Sequence, residues 1–224
     1  MTHHHWDHVF GISEVGLPTI AHQKTRNELK NMKQISWYDS DLERGLKERT
    51  ISQFAVDAIR KEFGNERDIE LCLPEITFET RLELDLGGIT CLIEHVGGDH
   101  ADDSCVIYIP EEKTLFLGDC ICALIAPDAL SYTVEKSLNL VDRLEKFDAE
   151  FIFYSHHDVP LSKQEFNYEL DVVKNVALLT KEFKSDESSI IKELSNRFER
   201  ELSDDEVETI SFFINGLGHG EDLY

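Results

Sequence analysis

The chain has 224 residues, with 22 Lys and Arg against 45 Asp and Glu, a formal net charge of −23. A surface this acidic, with no visible basic patch, repels phosphate backbones and speaks against a nucleic-acid partner. No apolar run approaches the ~18 residues of a membrane span, and five cysteines, an odd number, fit reduced thiols in a cytoplasmic protein better than a disulfide framework.

In chain order, the densest chemistry comes first. Residues 2–8 read T-H-H-H-W-D-H, so that His3, His5, Asp7 and His8 form His-x-His-x-Asp-His. Alternate residues of an extended segment share a side, which projects His3 and His5 together. Asp7 and His8 follow where the chain turns toward a helix. Imidazoles with a carboxylate suit zinc, iron, manganese or nickel. Zinc bonds of about 2.0–2.2 Å require ligands to converge from several segments. Three successive histidines can also be an expression tag. A tag, however, is not continued by W-D-H-V-F-G, in which Trp6, Val9 and Phe10 have the character of core.

Residues 9–16 predict a helix behind this motif, with 11–15 packed on a sheet; 18–22 predict a short strand and 23–32 a helix, with His22 as a surface or capping residue. Residues 39–63 carry helical periodicity, with Leu42, Leu46, Ile51, Phe54, Ala58 and Ile59 on one stripe. Trp37 and Tyr38 just before it are read as core packing or substrate contacts. From residue 71 the chain turns strand-rich, with strands at 76–84, 89–95, 104–109 and 114–117; His95 is read as structural. A loop at 126–131 follows, then a helix at 134–146 and a strand at 149–154. Helices at 163–183, 188–201 and 204–217 complete the chain, two of them with acidic starts that suit helix amino termini. His219 is expected to be disordered. No linker or repeat divides the chain, which reads as one domain over 1–224: a metal-binding part at 1–160 and a helical extension at 161–218.

Three further sites pair a ligand-type residue with the end of an apolar strand. His100 lies in the turn G-G-D-H-A-D-D-S, Asp119 follows L-F-L-G, and His156 and His157 follow F-I-F-Y-S. Strand ends that open on a common edge are where sites form in layered α/β folds.

With their order and strand contexts, these motifs resemble the metallo-β-lactamase superfamily over residues 3–157. The resemblance implies a four-layer αββα sandwich of class α/β, here with extra carboxy-terminal helices, and two divalent metal ions in a groove at one edge. By position, His3, His5 and His100 would hold the first ion, and Asp7, His8 and a last histidine the second, with Asp119 bridging. For the last ligand, Ser155-His156 matches a small-residue-then-His form and favours His156, whereas alignment backward from Pro160 favours His157. Zinc is the favoured metal, with iron or manganese as alternatives. His5 in place of Glu argues against the diiron flavoprotein branch, and Asp119 in place of Cys against the best-known β-lactamase branch. Cys120 and Cys122 are read as small buried residues. The segment preceding Asp119 does not identify a substrate; the helical segment at 39–63 occupies the place of the insertion that often roofs the groove.

Members of that superfamily carry strands before the first motif, and here the chain opens inside it, with the delivering strand reduced to Met1 and Thr2. The expectation is an amino-terminally truncated sandwich, either with its missing part encoded upstream or completed by a homodimer. Exposed apolar surface would cost roughly 25 cal/mol per Å², and an open sheet edge would invite pairing.

The function this implies is hydrolysis of an ester, thioester or lactone in a small-molecule substrate by a metal-activated water, with Asp7 both binding metal and orienting or accepting the proton of that water. Two alternatives stand beside it: an iron-dependent sulfur dioxygenase, and a catalytically inactive metal-binding protein.

Overall fold

The computed structural model describes residues 1–65, 67–125 and 129–218. The chain opens with two short helices, α1 (Trp6–Val9) and α2 (Ile12–Val15), then β1 (Ile20–His22), α3 (Gln23–Met32), α4 (Asp39–Glu48) and α5 (Gln53–Phe63). A strand-rich middle follows: β2 (Ile76–Phe78), β3 (Arg81–Asp85), β4 (Thr90–His95), β5 (Cys105–Ile109), β6 (Thr114–Gly118), β7 (Leu124–Ile125) and β8 (Leu130–Ser131). Then come α6 (Val134–Leu144), β9 (Phe151–Tyr154), β10 (Leu161–Ser162), α7 (Lys163–Phe183), α8 (Glu187–Phe198) and α9 (Asp204–Gly216).

The framework is a six-stranded sheet of order β10–β9–β6–β5–β4–β3. β3 to β6 form an antiparallel meander, β9 joins parallel to β6, and β10 closes that edge antiparallel. A parallel neighbour needs a crossover, and α6 supplies it. Alternation then sorts the side chains. Leu115, Leu117 and Ile152 are fully buried on one face, against Leu140 and Leu144 of α6 and Phe166 and Leu170 of α7. Each such side chain contributes about 1.5–3 kcal/mol by leaving water. On the opposite face, β1 and β2 pair in parallel as a second layer two strands wide. Their Ile20 and Phe78 pack with Ile93 and Cys105. The mixed α/β layering expected from the sequence is what the chain adopts.

The carboxy-terminal helices start on polar side chains. Ser162 with Glu165 and Ser203 with Glu206 form reciprocal capping boxes at α7 and α9. Among the described residues, no helix is long and apolar enough to cross a membrane.

Several expectations change in detail. The stripe at 39–63 is two helices, because Arg49 caps α4 in the left-handed region (φ 61°) and Ser52 restarts the chain by accepting from Ala55 N. Leu42, Val56 and Ile59 are buried with Phe10 and Trp37, whereas Phe54 is 68% exposed. Trp37 is thus core and Tyr38 is exposed. The strand at 76–84 breaks at 79–80 into β2 and β3, which belong to different sheets. The helix at 9–16 is replaced by α1 and α2, and Val15 faces solvent. α8 ends at Phe198, with Glu199 left-handed. His22 is buried rather than on the surface; it caps α3 by accepting from Lys24 N, and its ring stacks on His95 at 3.9 Å. Of the loop at 126–131, Leu130 and Ser131 form a strand with β7, and 126–128 lie outside the described residues, as does His219.

Candidate metal centre

The opening motif straddles an extended segment and a helix start. Met1 and Thr2 are pinned between the two layers: the Met1 amino group donates to Ile20 O at 3.0 Å, and Cys105 N donates to Thr2 O at 2.9 Å. His5 is the amino-terminal cap of α1 in extended conformation, so His3 and His5 project before the turn while Asp7 and His8 lie in α1 itself.

Two glycines permit the approach of the other segments. Gly118 ends β6 at φ +57°, and a Cβ there would lie 2.8 Å from Thr2 Cβ. Only without that carbon can Asp119 come beside His3. Gly98, at φ +128°, would place a Cβ 2.7 Å from Cys120 O, so its bareness lets the His100 turn rest on the loop after Asp119.

The result is a convergence on one carboxylate oxygen. Asp119 Oδ2 lies 3.0 Å from His8 Nε2, 3.1 Å from His156 Nε2, 3.6 Å from His100 Nε2 and 4.0 Å from His3 Nε2. His5 Nδ1 is 2.9 Å from His100 Nε2, and Asp7 Oδ2 is 3.3 Å from His156 Nε2 and 3.5 Å from His8 Nε2. His3, His5 and His100 form one group, and Asp7, His8, Asp119 and His156 a second, each with donor atoms within 4.8 Å of one another. All seven residues singled out in the sequence therefore meet. Between the two candidates after β9, the structure brings in His156; His157 instead stacks on the Tyr154 ring at 4.9 Å.

The donor set fits a divalent cation. His3 Nε2 is buried without a hydrogen-bond partner, which is costly unless something else satisfies it. His100 Nδ1 donates to Ala123 O at 3.1 Å. A carbonyl can only accept, so in the neutral ring Nε2 presents a lone pair toward Asp119. Protonation is disfavoured where ligation needs it to be. Burial, then repulsion from His100 and His4, holds His5 down at about 3, and burial also lowers His3 and His100. Burial alone would raise Asp119, but the His8 hydrogen bond and the surrounding imidazoles keep it well below the usual carboxylate range.

Two aspartates beside His100 have supporting parts that the sequence reading did not assign. Asp103, 2% exposed, bonds His4 Nδ1 at 2.8 Å and so ties the first motif to the His100 turn. Asp99 accepts from Thr133 N, Thr133 Oγ1 and Ser137 Oγ, anchoring the same turn to α6. Their signal was present in G-G-D-H-A-D-D, where carboxylates flank a histidine in a glycine turn. Cys120 is buried and Cys122 partly so, both as free thiols. Burial pushes the Cys122 thiol up to about 12 and Cys120 well above its ordinary value, so neither is a ready thiolate. A cleft of about 440 Å³ lined by His95, Gly98, Lys136 and Arg143 lies behind the His100 turn, away from this cluster.

A family model described as the metallo-beta-lactamase superfamily matches residues 1–156. The chain belongs to this superfamily. Superfamily members are mostly metal-dependent hydrolases. No curated protein sequence matches the chain significantly. Among solved structures, a double mutant of the sec-alkyl sulfatase PisA1, an enzyme from a Pseudomonas species, is 14% identical with a TM-score of 0.62 over 100% of this chain and 41% of that one. A superfamily protein from the archaeon Sulfolobus tokodaii is 15% identical, with a TM-score of 0.53 over 98% of this chain and 78% of that one. Another from Thermus thermophilus is 17% identical at 0.53, covering 98% and 73%. At such identities the likeness is one of fold, and this chain spans well under half the length of the sulfatase.

Proposed function

We propose that the protein is a hydrolase that holds two divalent metal ions, most simply zinc, with His3, His5 and His100 around one and Asp7, His8 and His156 around the other, Asp119 lying between them. The observation that carries this is the single carboxylate oxygen of Asp119 within 4.0 Å of four imidazole nitrogens from three separate segments. When bound, such ions lower the pKa of a coordinated water toward neutrality and polarise a carbonyl. The protein's own part is to hold neutral imidazoles with lone pairs inward, and to keep Asp119 ionised between them. Asp7 sits at the more open side of the cluster, its side chain 28% exposed, where it can orient the attacking water and accept its proton. His8 and His156 both reach Asp119 and complete a second ligand group, which favours a pair of ions over the lone iron of a dioxygenase.

The expected substrates are small esters, thioesters or lactones. A sec-alkyl sulfate belongs in the same panel, given the sulfatase among the structural neighbours. The test combines metal content with turnover. Protein purified without added metal should carry close to two equivalents and hydrolyse at least one member of the panel, and His100→Ala and Asp119→Ala should each lose metal and turnover together. Full activity in either variant, or a folded protein that binds no divalent ion, would overturn the reading.

A further inference from the structure

The two adjacent histidines after β9 lie in different surroundings, and one tyrosine separates them. β9 follows β6 residue for residue from Thr114 beside Phe151 to Phe116 beside Phe153, and then a bulge at Leu117 sets Gly118 beside Tyr154. An extra residue of this kind re-aims the side chains that follow it. Asp119 and His156 thus leave the sheet from one paired point. Beyond it the ladder is thin. Ser155 N donates to Gly118 O at 3.4 Å, and residues 155–160 lie outside any helix or strand. Regular pairing therefore does not fix which of the two imidazoles turns toward Asp119.

The Tyr154 side chain does. It packs against the core cluster that contains Ile152, Phe166 and Leu170, and its hydroxyl donates to Glu169 Oε2 on α7. On the ring so anchored His157 stacks, with centroids 4.9 Å and planes 28° apart. Among the described residues His157 has no hydrogen bond or ion pair, so this stack is what holds its imidazole. His156 is placed differently. It reaches Asp119 Oδ2 at 3.1 Å and Asp7 Oδ2 at 3.3 Å, with its side chain 60% exposed. Packing does not cage a side chain so open to solvent.

We infer that Tyr154 is a positioning residue that gives the second metal position to His156 by holding His157 away. The inference rests on the two-ion reading above. Two imidazoles one residue apart compete for one coordination position, and the choice is a difference between two affinities. His157 has to give up its aromatic contact to compete, and His156 gives up none with Tyr154. The hydroxyl bond to Glu169 fixes the ring to α7, so the platform stays in place while the turn after it moves.

Zinc content by elemental analysis, and the affinity of the weaker ion by chelator competition, read the effect. Wild type sets the reference at two equivalents, and His156→Ala should hold one. The double variant Tyr154→Leu with His156→Ala should regain the second equivalent, with an affinity within about tenfold of wild type, because the freed His157 takes the place of the missing ring. Adding His157→Ala should lose it again. Tyr154→Phe with His156→Ala keeps the aromatic platform and should stay at one equivalent, which mere loosening of the strand end would not produce. One equivalent in the folded leucine double variant, or equal recovery with phenylalanine, would overturn the inference. If the leucine variants do not fold, the ring-proton resonances of His157 in the wild-type protein decide. Stacked on Tyr154 they lie upfield of free histidine, and unshifted resonances overturn the inference. Fewer than two equivalents in wild type counts against the two-ion reading and takes this inference with it, whereas two equivalents without recovery is a failure of the Tyr154 role alone.

Discussion

Gly118→Ala should be far more damaging than a single added methyl group suggests. The residue is left-handed at φ +57°, where an L side chain costs about 1–2 kcal/mol. The new Cβ would also lie 2.8, 2.9 and 3.1 Å from Thr2 Cβ, Oγ1 and Cγ2, and overpacking of that kind costs about 1–3 kcal/mol. Thr2 has little room to yield. Its carbonyl is held by Cys105 N, and its hydroxyl lies 3.2 Å from His3 Nδ1. The sum is a loss of about 2–5 kcal/mol, a large fraction of the stability of an ordinary domain. Since the clash separates His3 from Asp119, zinc affinity should fall as well. Urea unfolding and competition with a chromophoric chelator measure the two effects, with Gly11→Ala, which meets open space, as the neutral control. Thr2→Gly in the Gly118→Ala background should recover the overpacking part and leave the backbone part. A stability loss below about 1 kcal/mol with unchanged zinc affinity would refute this account of how β6 meets the first motif.

Three further outcomes follow from the same geometry. Asp103→Asn should weaken zinc binding by about 10- to 100-fold while the fold survives, since it loosens His4 between two ligands; unchanged affinity in a calorimetric titration counts against that link. His156→Ala should lower zinc stoichiometry and His157→Ala should not, which elemental analysis of the two purified variants decides. Glu206 is held at about 2; burial would raise it, but the Arg200 and Tyr168 hydrogen bonds and the Ser203 cap outweigh that. A carboxyl so depressed stabilises the fold by on the order of 2–3 kcal/mol above its unfolded value near 4.5, and this is lost as pH falls through about 2. Denaturant midpoints of Glu206→Gln should therefore lie below wild type at pH 7 and converge with it toward pH 2, and a constant gap across that range would be the wrong result.

Much of the site was legible because ligand chemistry is carried by residue type. Imidazoles at positions 3, 5 and 8, a carboxylate at 7, and ligand-type residues at or near the ends of three apolar strands leave few readings once metal is considered. The choice of His156 over His157 was not legible. Adjacent residues leaving a strand point to opposite sides, and which side faces the cluster depends on how β9 sits against β6. The supporting aspartates were missed for a related reason: Asp99, Asp102 and Asp103 look alike in a glycine turn. Only packing buries Asp99 and Asp103 and leaves Asp102 at the surface, bonded to Lys24. The helices at 39–63 show the same limit, since periodicity is unchanged by one left-handed residue at Arg49.

Alternation, turn signals and the spacing of ligand-type residues determined by themselves where most of the helices and strands lie along the chain and which side chains could hold metal, with His156 and His157 left as alternatives, because these depend on local preference and on the chemistry of side chains; the class of fold came from the resemblance those motifs carry. Tertiary structure alone decided that His3, His8, His100 and His156 converge on one oxygen of Asp119, that Gly118 and Gly98 must be bare for them to do so, and that His156 rather than His157 turns toward them. Each of these rests on close approach between residues from 19 apart (His100 and Asp119) to 116 apart (Thr2 and Gly118), set by strand register and layer packing, and no local pattern in a chain encodes a distance of that kind.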